Sequence, residues 1–162
     1  MGAGKSSIGR YVAQLTGHDL YDSDHEIEGR TGANIPWIFD VEGEQGFRDR
    51  EEAMIDELTQ LKDIILATGG GCVQREQNRA NLMARGTVVF LQTSVEEQIA
   101  RTARDKNRPL LQTENPEAKL RELMERRLPL YEEVADVVVV TDNRNVKEVA
   151  NEIVDKVQSL LK

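Results

Sequence analysis

Gly4, Lys5 and Ser6 in the opening stretch "MGAGKSSIGR" form the second half of the pattern G-x-x-x-x-G-K-[ST]. In that pattern a glycine-rich turn aims backbone N–H groups at phosphates, the lysine reaches the outer phosphates, and the hydroxyl is placed for Mg2+. Gly2, Ala3, Gly4, Lys5, Ser6 and Ser7 are therefore the candidate phosphate cradle, with Ser6 also a candidate metal ligand. Phosphoryl transfer needs, besides the cradle, a Mg2+ site and a group that orients the accepting oxygen. The triplet "DSD" offers both. Asp22 suits hydrated Mg2+, which is commonly held through one or two carboxylates. Asp24 can accept a hydrogen bond from a substrate hydroxyl and act as its base. The other use of this triplet is to start a helix, since Asp before "HEIE" is a common N-cap, and one aspartate can do both.

Three consecutive glycines, Gly69, Gly70 and Gly71, follow the apolar run "DIILAT". Such a run costs conformational entropy, so it reads either as a close backbone approach to a ligand or as a tight strand-to-helix turn. Arg48 in "GFRDREE", Arg108 in "NRPLL" and Arg127 in "ERRLPLY" add cations. Guanidinium groups bind carboxylates and phosphates in bidentate fashion, so arginines near a phosphoryl-transfer site suggest a small anionic acceptor. On spacing alone each reads as an ordinary surface arginine. Arg50, Glu51 and Arg126 read as helix-face charges, and Cys72 as a small apolar filler.

These residues need elements to hold them. "SSIGRYVAQLTG" is an amphipathic helix with Ile8, Tyr11, Val12 and Leu15 at three-and-four spacing and Gly17 as a stop. A helix at this point favours the phosphate loop over a fraying glycine-rich terminus. "HDLYDSD" predicts a short strand, "HEIEGRTG" a short helix closed by Gly32, and "NIPWIFDVEG" leads into the longer helix "EQGFRDREEAMIDELTQL". "DIILAT", "TVVFL" and "DVVVV" lack polar alternation and read as buried strands. Strands alternating with helices imply a parallel sheet covered on both faces, with ligands at the carboxyl ends of the strands. The basic segment "RTARDKNRPLLQTENP" reads as a mobile cover over phosphates or as a solvated loop.

The chain of 162 residues suits one domain, and no composition break, repeat or low-complexity tract divides it. Lys and Arg total 21 against 29 Asp and Glu, for a net charge of −8, which argues against nucleic-acid binding. The single cysteine excludes an internal disulfide framework and suits a reducing compartment. No apolar run approaches membrane-spanning length, so the expectation is a cytoplasmic protein without a membrane partner.

Taken in order, "GAGKSSIGR", "DSDHEIE", "IFDVEGEQGFRDREE", "ATGGG", "RPLL" and "RLPLYEEVAD" resemble the shikimate kinase family, most closely its enterobacterial type. The resemblance runs from Met1 to the final helix. It implies a P-loop NTPase fold of the nucleoside-monophosphate-kinase type, three layers α/β/α around five parallel strands, and a single domain over 1–162. It also implies a shikimate-binding region at about 23–51 and a lid at about 102–116. ATP would be co-substrate and Mg2+ the cofactor, on Ser6 and Asp22. Asp24, Lys5 and Arg108 match the catalytic positions. Arg48 and Arg127 match arginines that clamp the shikimate carboxylate, and Gly69, Gly70 and Gly71 match the glycine run lining the substrate. Arg101 and Arg144 fall near adenine-side positions, and Arg108 matches the lid arginine at the transferring phosphate. The implied reaction is ATP-dependent phosphorylation of the shikimate 3-hydroxyl, by a monomer, in aromatic amino acid biosynthesis.

Two departures accompany the resemblance. Ser7 stands where the family usually has threonine. Counting back from Gly4, the first loop glycine would fall two positions before Met1, and the strand leading to it is absent as well. By resemblance that strand lies in the middle of the sheet, so its neighbours are expected to show open inner edges. Two other functions are therefore kept beside the first. One is a small P-loop kinase acting on another hydroxy acid such as gluconate, which a substrate panel separates. The other is a non-catalytic nucleotide-binding remnant, which N-terminal sequencing of the native protein separates.

Overall fold

Four strands of four residues each run parallel in two pairs, β1 (Asp19–Asp22) with β2 (Ile64–Ala67) and β3 (Val89–Gln92) with β4 (Val137–Val140). The structure, a computed structural model, describes residues 5–102 and 115–161. Helices connect the strands in chain order. They are α1 (Lys5–Thr16) before β1, then α2 (Ser23–Thr31) and α3 (Ile35–Leu58) before β2. A 3-10 turn (Gly70–Gln74) and α4 (Glu76–Arg85) follow β2. Beyond β3 lie α5 (Val95–Thr102) and α6 (Pro116–Val134), and α7 (Val146–Leu161) follows β4.

Among the described residues the two pairs do not join into one sheet. Between β2 and β3 lies a space of about 1530 Å3, bordered by all four β2 residues, by Val89, Phe90 and Leu91, and by Ile8 and Val12 of α1. The open inner edges expected from the sequence are these two. The core is accordingly divided. Ile8 and Val12 of α1 pack with Val137 and Val139 of β4 and with Val149, Ala150 and Ile153 of α7. Ile27, Ile35, Ile38, Phe47, Met54 and Leu58 form a second cluster under β1 and β2.

One strand departs from expectation. "DVVVV" has the look of a strand buried on both faces, yet Val138 and Val140 are 42% and 51% exposed while Val137 and Val139 are buried. Only one face of β4 is covered by α1 and α7, so its burial alternates as in a half-buried strand. Tyr11 and Leu15 are likewise exposed, which leaves Ile8 and Val12 as the working apolar stripe of α1.

Local chemistry sets the helix ends. Asp22 caps α2 and Asn34 caps α3, with Asn34 Oδ1 accepting from Trp37 N at 2.9 Å and Pro36 in the first turn. Within α3 the chain breaks helical geometry at Gly43 (φ 76°, ψ 173°), a conformation that side chains disfavour. The break re-aims residues 44–58, so that Phe47, Arg48, Glu51 and Ile55 turn inward. The two helical segments legible in the sequence are thus one element with a glycine joint.

Two glycines of α2 should respond oppositely to alanine. Gly32 closes the helix at φ 71°, so Gly32→Ala should destabilise by about 1 kcal/mol through left-handed strain. Gly29 is inside the helix with open space around it, so Gly29→Ala should stabilise by about 0.5–1 kcal/mol. Urea unfolding of the two variants checks the pair. Equal shifts of the same sign would contradict the assigned helix end.

Candidate active site

The phosphate end is built where α1 begins and β1 stops. Asp22, the last residue of β1, uses its two oxygens differently. Oδ1 accepts from the backbone N–H groups of Asp24 (3.0 Å) and His25 (3.3 Å). Oδ2 accepts from Lys5 Nζ at 3.3 Å and from Ser6 Oγ at 3.4 Å. Asp22 is therefore both helix cap and bridge to the first turn of α1. That helix has no acidic residue in its first turn, so its positive end is not neutralised from within. A hydroxyl and a carboxylate oxygen side by side form a hard oxygen donor set suited to Mg2+, which usually takes one or two protein carboxylates and keeps water and phosphate oxygens. No group of three or more His, Cys, Asp or Glu that could hold a metal occurs among the described residues.

Register carries this end toward a second, buried cluster. Asp22 pairs with Ala67, so residues 23–24 emerge beside Thr68 and the glycine run. Gly69 lies so close that an added Cβ would stand 3.2 Å from Asp24 Oδ2 and 3.6 Å from Glu51 Oε2. At Gly71 an added Cβ would stand 2.3 Å from Arg48 Nη2, so the Arg48 guanidinium would have to move. The run is thus a close approach of backbone to charged side chains, and a strand-to-helix turn as well, since it enters the 3-10 turn.

Arg48 is 5% exposed, Glu51 0% and Arg127 1%. Arg48 Nη1 donates to Glu51 Oε1 at 2.9 Å and Nη2 to Glu44 Oε2 at 3.4 Å, while Nε has no hydrogen-bond partner. Glu51 Oε2 is also without one. Burial pushes the Glu51 carboxyl up from its ordinary range; Arg48 and Arg127 oppose that, and Asp24 adds to it. Arg127 is different. Among the described residues no carboxylate lies within 4.0 Å of its guanidinium, although the group is almost wholly out of water. A buried cation with no carboxylate that close favours an anion beside it.

The remaining sequence candidates fall elsewhere. Gly2, Ala3, Gly4 and Arg108 lie outside the described residues, as do the side chain of Arg101 and residues 103–114 of the expected lid. Ser7 is exposed on α1. Arg144, after β4, donates to the Val140 carbonyl at 3.0 Å and pairs with Glu152 at 2.9 Å. The large space between the strand pairs is the interruption of the sheet; Lys5, Ser6, Gly69 and Gly70 border it along with apolar side chains, while Arg48, Glu51 and Arg127 do not.

Glu51 corrects the sequence reading, which places it among helix-face charges. Its spacing of three from Arg48 was the available signal, since such residues share a helix face. Arg50 and Arg126 behave as read, pairing on exposed faces with Glu42 and Glu122. Tyr131 was missed altogether; its phenol donates to the Gly70 carbonyl at 2.9 Å and its ring stacks on Phe90 at 4.8 Å. Cys72 is buried and its thiol is pushed up to about 12 by burial, which suits a filler and not a nucleophile.

Comparison with known proteins bears on this arrangement. The family model for shikimate kinase matches residues 1–158. The chain belongs to the shikimate kinase family. Curated shikimate kinases from Chromohalobacter salexigens and Vibrio parahaemolyticus are 61% and 60% identical to it, over 99% and 95% of this chain and 89% and 90% of theirs. Among solved structures, a shikimate kinase from Acinetobacter baumannii in complex with shikimate is 53% identical. It aligns with a TM-score of 0.97 over 99% of this chain and 89% of that one. The shikimate kinase from Aquifex aeolicus is 30% identical with a TM-score of 0.86, covering 99% of this chain and 94% of its own. The α/β arrangement described above is thus that of the shikimate kinases, a P-loop fold of the nucleoside-monophosphate-kinase type.

Glu51 also marks the stability of the site. Its native carboxyl holds its proton more tightly than the ordinary value of 4.5. Its contribution is therefore fully present below that value and is lost as pH rises through the raised native one. Relative to Glu51→Gln, which does not titrate, the protein should lose unfolding free energy over that window and run parallel above it. Urea unfolding of both proteins across the window measures this, and parallel curves throughout would show that burial does not dominate at Glu51.

Proposed function

We propose that the chain transfers the γ-phosphoryl group of ATP to the 3-hydroxyl of shikimate, giving ADP and shikimate 3-phosphate, a step of aromatic amino acid biosynthesis. The observation that carries this reading is Arg127, a buried guanidinium with no carboxylate within 4.0 Å among the described residues, in one cluster with Arg48, Asp24 and the glycine run. Such a cluster has the charge to hold a small hydroxy acid by its carboxylate. Family membership and a relative solved with shikimate select the acid.

In this reading Arg48 and Arg127 hold the shikimate carboxylate, and the backbone of Gly69 to Gly71 lies against the ring because no side chain intervenes. Asp24 accepts the hydrogen bond of the reacting hydroxyl, orients its oxygen and takes its proton. Lys5 offsets charge on the outer phosphates, with its ammonium kept in place by Asp22. Ser6 and Asp22 would hold Mg2+, which supplies charge neutralisation across the phosphates when bound. Arg108 is assigned to the transferring phosphoryl group, Gly2 to Ser7 to the phosphates, and Arg101 and Arg144 to the adenine side, on resemblance. Residues 102–116 take the role of a lid that excludes water. The reading extends to a monomeric cytoplasmic enzyme; a single buried cysteine supports a reducing compartment, and no described helix is long and apolar enough to cross a membrane.

Shikimate-dependent ADP release in a coupled assay tests the reaction, and its absence would sink it. Asp24→Ala should lower turnover by about 100-fold or more while nucleotide affinity, read by calorimetry, stays near that of the unaltered chain. Near-normal turnover in this variant would remove Asp24 as the base.

A further inference from the structure

Arg127 can serve a substrate carboxylate only if its guanidinium plane is fixed, because a rotating fork loses the bidentate geometry that makes arginine selective. No protein carboxylate among the described residues fixes it. We infer that Gln74 is the positioning residue for Arg127, an inference that rests on the assignment of Arg127 to the substrate carboxylate. With its amide oxygen turned toward Arg127, the orientation that satisfies both groups, Gln74 accepts from Nε at 3.1 Å and from Nη2 at 2.9 Å. Those two donors share one edge of the guanidinium. One acceptor on that edge sets the rotation of the plane; the Tyr131 hydroxyl also meets this guanidinium, and the N–H groups that these two do not use can face an anion.

Gln74 is itself held. It ends the 3-10 turn that begins at Gly70, and Arg79 Nη1 of α4 donates to the Val73 carbonyl at 2.7 Å and to the Gln74 carbonyl at 3.3 Å. Arg79 also pairs with Glu133 of α6 at 3.0 Å. Tyr131, one helical turn beyond Arg127 on α6, donates to the Gly70 carbonyl at 2.9 Å. The turn is thus tied to α6 at both ends, through Tyr131 at its first residue and through Gln74 at its last. The arginine and the glycine run therefore keep a constant separation.

The chemistry of the amide matters as much as its place. A neutral oxygen orients the guanidinium without cancelling its charge, whereas a carboxylate at position 74 would form an ion pair and compete with the substrate for the same cation. The two effects separate experimentally. In shikimate-dependent ADP release, Gln74→Met, which keeps side-chain bulk and removes the acceptor, should raise KM for shikimate about three- to tenfold. Gln74→Glu should raise it further, about tenfold or more, with the increase shrinking as pH falls into the carboxylate range. In both variants kcat and KM for ATP should stay within about twofold, a split that general loosening of the fold would not produce. Thermal melts of both variants accompany the kinetics; if one is unfolded, the other decides. An active unaltered chain whose shikimate KM moves less than about twofold in the folded variants would overturn the role of Gln74, as would equal rises in both substrates' KM. An unaltered chain without shikimate-dependent turnover would instead remove the functional assignment beneath it. In that case the protection of Arg127 by Gln74 would be read from phenylglyoxal modification, expected to be faster in Gln74→Met; no difference would overturn the inference there too.

Discussion

Burying Arg48, Glu51 and Arg127 against a backbone with no side chains is the constraint on which the site depends. Charges taken out of water are costly unless each has partners of good geometry, and here the partners come from separate parts of the chain. Glu51 answers Arg48 from the next turn of the same helix, and Gln74 reaches Arg127 from beyond the glycine run. Gly71 leaves the space that the Arg48 guanidinium occupies, which a Cβ there would displace. The residual imbalance, a guanidinium with no carboxylate within 4.0 Å among the described residues, is what an anionic ligand would relieve.

Two backbone features bring the charges together. The parallel register of β1 on β2 sets Asp22 level with Ala67, so the acidic loop and the glycine run leave the sheet side by side. The glycine joint at Gly43 turns the second half of α3, and Arg48 with Glu51 swings inward as a consequence. Neither feature is chemical in itself, yet each determines which side chains meet. The interruption between β2 and β3 lies beside this charged cluster, and the two hydrophobic clusters under the separate strand pairs hold the helices in place around it.

Local patterns in the sequence carried much of this. The helix stops at Gly17 and Gly32, the proline in the first turn of α3, the four strands and the capping role of one aspartate all follow from short-range rules that the structure obeys. The same rules misplaced Glu51, because a charged residue between charged neighbours on a helix looks solvated until its partner is known to face inward. They also misjudged β4, since four consecutive valines cannot reveal that one face lacks a covering helix.

From the sequence alone came the types of residue that can do the chemistry: a lysine and a hydroxyl at a helix start, two aspartates two positions apart, a glycine triplet and a set of arginines. Their types and order are properties of the chain and survive any fold. Which buried arginine has no carboxylate within 4.0 Å among the described residues, which glutamate is buried, and which neutral amide faces Arg127 were decided only by tertiary structure. The physical reason is that burial and pairing depend on residues far apart in sequence, such as Gln74 and Arg127, whose approach is set by helix packing and strand register and by no local pattern.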